Sequence, residues 1–288
     1  MGGMGNSPYT DLSRPPLREA ALRQALVVPD GLWTDLRVVP QTGSTNADVA
    51  AAARTQAPEG LVVIAESQTA GRGRLERHWL APARSSLTLS LLLRPVPRVP
   101  QARLGWLPLL AGVALVQAVG RIAMVDAALK WPNDLLVRSS AAPADYGKCA
   151  GVLAEAVGAP AAVVLGIGLN VSQGADELPA DRVVLPATSL ALADAACVDR
   201  DPLVRGLLRT FADWYGRWVA AAGDPAAAGL AEAYRAACYT LGRRVEVALP
   251  GGELLTGTAD AIDDDGRLVI RAGGQFRPVA AGDVQHVR

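Results

Sequence analysis

From Ala127 to Val171 the chain writes four apolar segments, ALKW, LLVR, CAGVLAEA and AAVVLGIGLNV, with no helical pattern between them. Strands joined by short connections pair antiparallel, because a parallel crossover needs a dozen or more residues. Two earlier apolar runs, LVVIAE and SLTLSLLL, read as further buried strands. Helical patterns lie elsewhere: LREAALRQAL, GSTNADVAAAARTQA, about 104–119, about 202–220 and about 225–238. Ser44, Thr45 and Asn46 are N-cap types that open the second of these, and Asp201-Pro202 and Asp224-Pro225 mark the starts of the last two. The implied class is α+β, a mixed/antiparallel sheet with helices on one face.

Past Leu241 the pattern changes to short alternating strands with turns at PGG, DDG and AGG, the size of a small β-barrel. The expected organisation is a partly disordered N-terminal segment 1–37, a larger domain 38–239 and a small β domain 240–288. Half of the 288 residues are apolar, enough for a sizeable core. Net charge is zero, which argues against a broad nucleic-acid surface. The run GWLPLLAGVALVQAVG is interrupted by Pro108 and short for a membrane span, so it reads as a buried helix. The polar N-terminus shows no secretory signal. The three scattered cysteines fit a reducing cytoplasm better than a disulfide frame or a zinc site. His78 and His286 are far apart and lack an acidic partner pattern, which disfavours His-based chemistry.

Chemistry concentrates in three places. In AESQTAGRGRLERHW, Gly71 and Gly73 let backbone approach an anion, and Arg72, Arg74 and Arg77 supply three cations within six residues. A solvated basic loop would carry the same residues. Two glycines and three repelling arginines favour disorder until an anion arrives. The loop is neither a Walker A motif nor a dinucleotide fingerprint. Lys130 and Lys148 are the chain's two lysines against 26 arginines, and they stand close together around KWPND. A lysine offers a compact ammonium that a planar guanidinium cannot imitate. Asn133-Asp134 favours a turn, and Asn170 ends the strand GIGLN with an amide that could read a base edge or cap a turn.

In this order, STN, ESQTAGRGRxxRxW, KWPND, GKxAGVLAE, GIGLNV and a small β tail, the chain resembles the biotin protein ligases, the biotin–[acetyl-CoA-carboxylase] ligases, from about residue 38 onward. The resemblance implies a class II aminoacyl-tRNA-synthetase-like catalytic domain and an SH3-like C-terminal β-barrel. It implies an enzyme that joins biotin to ATP with Mg²⁺, giving biotinyl-5′-AMP, and passes biotin to one lysine of a biotin carboxyl carrier domain. About forty residues precede the Ser-Thr-Asn segment, so the ligase-only type is expected, without a DNA-binding domain, without nucleic-acid or membrane partners, and cytoplasmic.

By the same resemblance, Ser44, Thr45, Asn46 and Gln68 face the biotin ring system. Gly71, Arg72, Gly73, Arg74 and Lys148 face its carboxylate and the α-phosphate. Arg72, Arg74, Arg77, Trp79, Lys130, Asn133 and Asn170 belong to the nucleotide. Arg74, Lys148 and Asp134 carry the catalysis, Asp134 by orienting or deprotonating the incoming carrier lysine. No metal ligands are assigned; Mg²⁺ is expected to accompany ATP. Two departures stand out. SSAAPAD widens the gap between Asp134 and Lys148, read as a longer hairpin loop. Glu76 replaces a glycine of the usual GRGRxGRxW loop and is expected to point away from the phosphates. The competing readings are a lipoate or octanoate protein ligase and a non-catalytic biotin-binding regulator. The first lacks a reason for GRGR and KWPND, and the second would be expected to bring a DNA-binding or switching module.

Overall fold

The computed structural model describes residues 13–74, 77–139, 146–158, 162–179, 185–249, 253–280 and 282–287. A seven-stranded sheet is built from β1 (Asp35–Val39), β2 (Leu61–Ala65), β3 (Ser86–Leu93), β4 (Ala127–Lys130), β5 (Asp134–Arg138), β6 (Tyr146–Val157) and β7 (Ala162–Asn170). Its order is β1-β2-β3-β7-β6-β5-β4, antiparallel except for β1 against β2. The sheet is therefore mixed. β1, whose DLRVV is broken by Asp35 and Arg37 and so does not stand out as an apolar run in the sequence, is the parallel member.

Side chains alternate across the sheet and divide two apolar layers. Val62, Ile64, Leu87, Leu89, Val163, Leu165 and Ile167 enter the main core. That core is shared with the helices α1 (Glu19–Leu26), α3 (Trp106–Ile122), α4 (Arg200–Ala220) and α5 (Leu230–Ala237). Their neighbours Leu61, Val63, Leu92, Ala162 and Val164 point the other way, onto α2 (Thr45–Arg54). The helices thus do not all share one face. The small residues Val49, Ala50 and Ala53, on one face of α2, let it pack closely on the opposite side. The helical stretch Gln101–Ile122, which ends in α3, is long and apolar enough by composition to cross a membrane. α3 lies in the interior, with Leu107, Leu110, Ala111 and Ala114 fully buried.

Two helix starts differ from the sequence expectation. α4 is capped two residues earlier, by Asp199, whose carboxylate accepts from Asp201 N–H at 2.9 Å. Asp224 caps a turn at Ala226 and Ala227, while α5 begins only after Gly229 in a left-handed conformation. The N-terminal expectation of disorder falls partly on residues 1–12, outside the described residues. Arg14 and Pro15 are tied to the rest of the fold. Arg14 donates to Glu177 at 2.6 and 2.9 Å and to the Ser172 carbonyl. The Pro15 carbonyl accepts from Arg200, whose other nitrogen meets Glu66 at 2.5 Å in a buried pair. Glu66 also accepts from Leu17 N–H, so the buried charges are satisfied.

The C-terminal unit is a five-stranded antiparallel sheet of β8 (Arg244–Ala248), β9 (Leu254–Ile262), β10 (Leu268–Ala272), β11 (Gln275–Val279) and β12 (Asp283–His286). Indole N–H groups dock it: Trp106 donates to the Asp264 carbonyl and Trp131 to the Gly266 carbonyl. Trp131 of KWPND is thereby a buried core residue. His286 closes the seam against Thr240 at 3.2 Å. Burial, with Lys130 and Arg243 nearby, pulls its pKa from the usual 6.5 to about 4. The folded protein thus keeps His286 neutral where the unfolded chain takes up a proton. Stability is expected to fall as pH drops from about 6.5 towards about 4. Urea unfolding across that window should show a flatter slope for His286→Gln than for the unaltered chain.

Candidate active site

α2 covers only part of its face of the sheet. Beyond Val164 the same row of β7 continues as Gly166, Gly168 and Asn170, past the part of the sheet that the apolar face of α2 covers. There a cavity of about 700 Å³ opens. It is walled by the N-terminus of α2, the loop after β2, the β4–β5 turn, residues 185–187 and Val284 of the C-terminal sheet. Every candidate residue proposed above lines it except Gly71.

Gly166, Gly168 and Gly71 each have a steric reason. A Cβ on Gly166 would stand 2.2 Å from Asn46 Oδ1, and one on Gly168 would stand 2.4 Å from the Trp79 ring. The GIG of β7 therefore lets Asn46 and Trp79 lie directly on the sheet. That role was invisible in the sequence, where Gly166 and Gly168 looked like ordinary strand glycines. Gly71 sits under the loop, where a Cβ would meet the Trp79 carbonyl at 2.3 Å and the Gln68 amide at 2.7 Å.

At the α2 end, Ser44 holds the N-cap position but makes no side-chain cap bond, and it lines the cavity. Thr45 N–H donates to Gln68 Oε1 at 2.8 Å, which turns the Gln68 amide one way. Asn46 donates from Nδ2 to Glu155 at 2.6 Å, and the Ser90 hydroxyl lies 2.6 Å from Asn46 Oδ1. Ser90 and Glu155 were not singled out in the sequence. They come from β3 and β6, far along the chain, and only the sheet brings them together.

The loop after β2 is closed rather than open coil over its described residues. Trp79 N–H bonds the Gly71 carbonyl at 2.9 Å, Gly73 N–H bonds that of Arg77, and Arg72 pairs with His78. Glu76 lies outside the described residues. Arg74 reaches across to the β4–β5 turn, donating to Asn133 Oδ1 at 3.0 Å and to the Gly282 carbonyl at 3.2 Å. Asn133 Nδ2 in turn donates to the Val152 carbonyl on β6.

Lys148 is aimed by an irregularity. On β6, Gly151, Leu153 and Glu155 face the cavity side while Ala150 and Val152 face the main core. The register with β5 shifts between Leu135 and Leu136, which leaves Cys149 as an extra residue. Cys149 and Ala150 both enter the main core, and Lys148 is rotated onto the cavity face. Backbone bonds to Pro186 and Thr188 pin it from the other side. Its ammonium meets Asp134 at 2.7 Å. The SSAAPAD insertion falls on residues 140–145, outside the described residues, apart from Ser139, which bonds the Leu192 carbonyl. Lys130 is buried and lines the cavity beside this pair. Asn170 also lines it, but its amide is engaged on both ends, donating to the Thr188 carbonyl and accepting from Gln173.

Among the described lining residues, Arg72, Arg74, Arg77, Lys130 and Lys148 oppose one carboxylate, Asp134. Such a cavity favours a polyanion at one end, while the α2 end offers hydrogen-bonding groups for a neutral polar ring. No group of three or more His, Cys, Asp or Glu side chains able to hold a metal ion occurs among the described residues.

Comparison with known proteins gives a consistent neighbourhood. Residues 38–171 match the family described as biotin/lipoate A/B protein ligase, and residues 240–287 match the biotin protein ligase C-terminal domain. The chain is 45% identical over 282 residues to the biotin–[acetyl-CoA-carboxylase] ligase of Mycobacterium tuberculosis, covering 96% of this chain and 98% of that one. It is 32% identical over 236 residues to the bifunctional ligase/repressor BirA of Bacillus spizizenii, covering 81% and 68%. The fold superposes on the biotin protein ligase of Aquifex aeolicus in complex with biotin and ATP, with a TM-score of 0.69 at 24% identity over 89% of this chain and 100% of that one.

Proposed function

Because the chain belongs to the biotin protein ligases of the biotin/lipoate A/B family, we propose that this cavity forms biotinyl-5′-AMP from biotin and ATP and then hands biotin to a carrier lysine. The observation that carries this reading is the division of one cavity into a hydrogen-bonding end and a cationic end, with Lys148 and Asp134 paired in the cationic half.

Ser44, Thr45, Asn46 and Gln68 hold the biotin ring system. Arg72, Arg74 and Lys148 draw its carboxylate towards the α-phosphate, offsetting the repulsion between two anions. A carboxylate oxygen attacks the α-phosphorus, and the bond to pyrophosphate breaks. The cations stabilise the charge that gathers on the phosphate oxygens. Trp79, Arg77, Lys130, Asn133 and Asn170 enclose the nucleotide; Gly73 lets the loop backbone approach it, while Gly71 lets the loop fold close beneath Trp79. Mg²⁺ enters as part of the substrate MgATP. In the second step the carrier amine attacks the anhydride carbonyl, AMP leaves, and the amine's proton passes to Asp134. The acceptor is a biotin carboxyl carrier domain, and the cytoplasm suits both ATP and the three unpaired cysteines.

Biotin-dependent exchange of pyrophosphate into ATP tests the first half. Exchange driven by biotin and not by lipoate or octanoate is expected. Tight biotin binding without exchange would favour a regulator, and exchange driven by lipoate would favour the acyl-ligase reading. Gly168→Ala should push Trp79 off the cavity floor. Its expected effect is a rise in KM for ATP of about tenfold, with little change in melting temperature.

A further inference from the structure

We propose that Glu155 is a positioning residue for biotin recognition: its carboxylate fixes the orientation of the Asn46 amide and so sets the donor and acceptor pattern of the ring-binding wall. This rests on the assignment of that wall to the biotin ring.

An ionised carboxylate only accepts hydrogen bonds. At 2.6 Å from Glu155 Oε2, Asn46 must therefore present Nδ2 to it and turn Oδ1 the other way. Oδ1 then accepts from Ser90, whose hydroxyl is 2.6 Å away and also lies 2.7 Å from Thr45 Oγ1. At the far end, Thr45 N–H, which can only donate, holds Gln68 Oε1 at 2.8 Å, so that Nε2 is the donor the Gln68 amide has left. The row Glu155–Asn46–Ser90–Thr45–Gln68 is thus polarised from both ends by groups with one possible role each. A free amide could flip and offer the wrong atom to a urea. Gly166 makes the arrangement tight, since any Cβ there would strike Asn46. A plain acyl chain has no use for such order, whereas a ring with both N–H and C=O groups does.

The test compares Glu155→Ala and Glu155→Gln in pyrophosphate exchange, titrating biotin and ATP separately. Glu155→Ala is expected to raise KM for biotin by at least about tenfold, as loss of one orienting hydrogen bond implies. KM for ATP and the rate at saturating biotin should stay within about twofold. Glu155→Gln can turn its own Oε1 to Asn46 and should restore most of the affinity. An unchanged KM for biotin in Glu155→Ala would overturn the proposal. So would a Gln variant as impaired as Ala, since charge rather than orientation would then matter. A parallel loss in KM for ATP would mark a general structural defect and overturn it as well. If the unaltered chain shows no biotin-dependent exchange, the functional reading fails instead.

Discussion

Lys148→Arg is expected to lower biotinyl-AMP formation by about a hundredfold or more, although the charge is retained. The ammonium sits 2.7 Å from Asp134, on a backbone pinned by the Cys149 bulge on one side and by Pro186 and Thr188 on the other. The backbone therefore cannot shift to re-aim a longer, planar head. A guanidinium in this position would fork onto the Asp134 carboxylate, and its width would hold it there. A lysine can swing one point charge between Asp134, the biotin carboxylate and the phosphate. The chain otherwise writes arginine 26 times, so its use of lysine here is informative. Pyrophosphate exchange measures the effect. A Lys148→Arg variant with near-native exchange would reduce the lysine to a coincidence.

Asp134→Asn is expected to separate the two half-reactions. Transfer from preformed biotinyl-AMP to the carrier should slow by about a thousandfold, within the range for a lost general base. Adenylate formation should change by less than about tenfold, because Asn keeps the shape of the β4–β5 turn. The carrier lysine arrives mostly protonated, with an ordinary pKa near 10.4. Asp134 is the carboxylate among the described lining residues that could orient or receive its proton. The transfer defect should therefore shrink as pH rises towards that value, where solvent deprotonates the amine. Single-turnover transfer followed over pH decides the matter. Equal losses in both half-reactions, or a defect insensitive to pH, would mean that Asp134 only holds Lys148 in place.

What could be read from residues alone was local. The strands announced themselves as apolar runs, and GRGR and KWPND marked the cationic half of the cavity, because their chemistry is written in consecutive residues. The missing parts depend on which strands become neighbours. β1 has too few apolar residues to stand out until β2 lies beside it in parallel. α2 crosses to the opposite face because Leu61 and Val63 alternate with Val62 and Ile64, a sidedness with no linear mark. Glu155 and Ser90 meet Asn46 across 109 and 44 residues. Gly166 and Gly168 acquire meaning only when Asn46 and Trp79 are laid upon them. The bulge at Cys149 requires the register of β5, and without it alternation would aim the cysteine rather than Lys148 at the ligand.

Carrier modification tests the whole account most directly. A biotin carboxyl carrier domain is incubated with the enzyme and MgATP, with biotin or lipoate in parallel, and the intact carrier is weighed. The expected result is a gain of one biotinyl group, lost when the acceptor lysine is replaced, and no gain with lipoate. An equal gain with lipoate, or none with biotin, would contradict it.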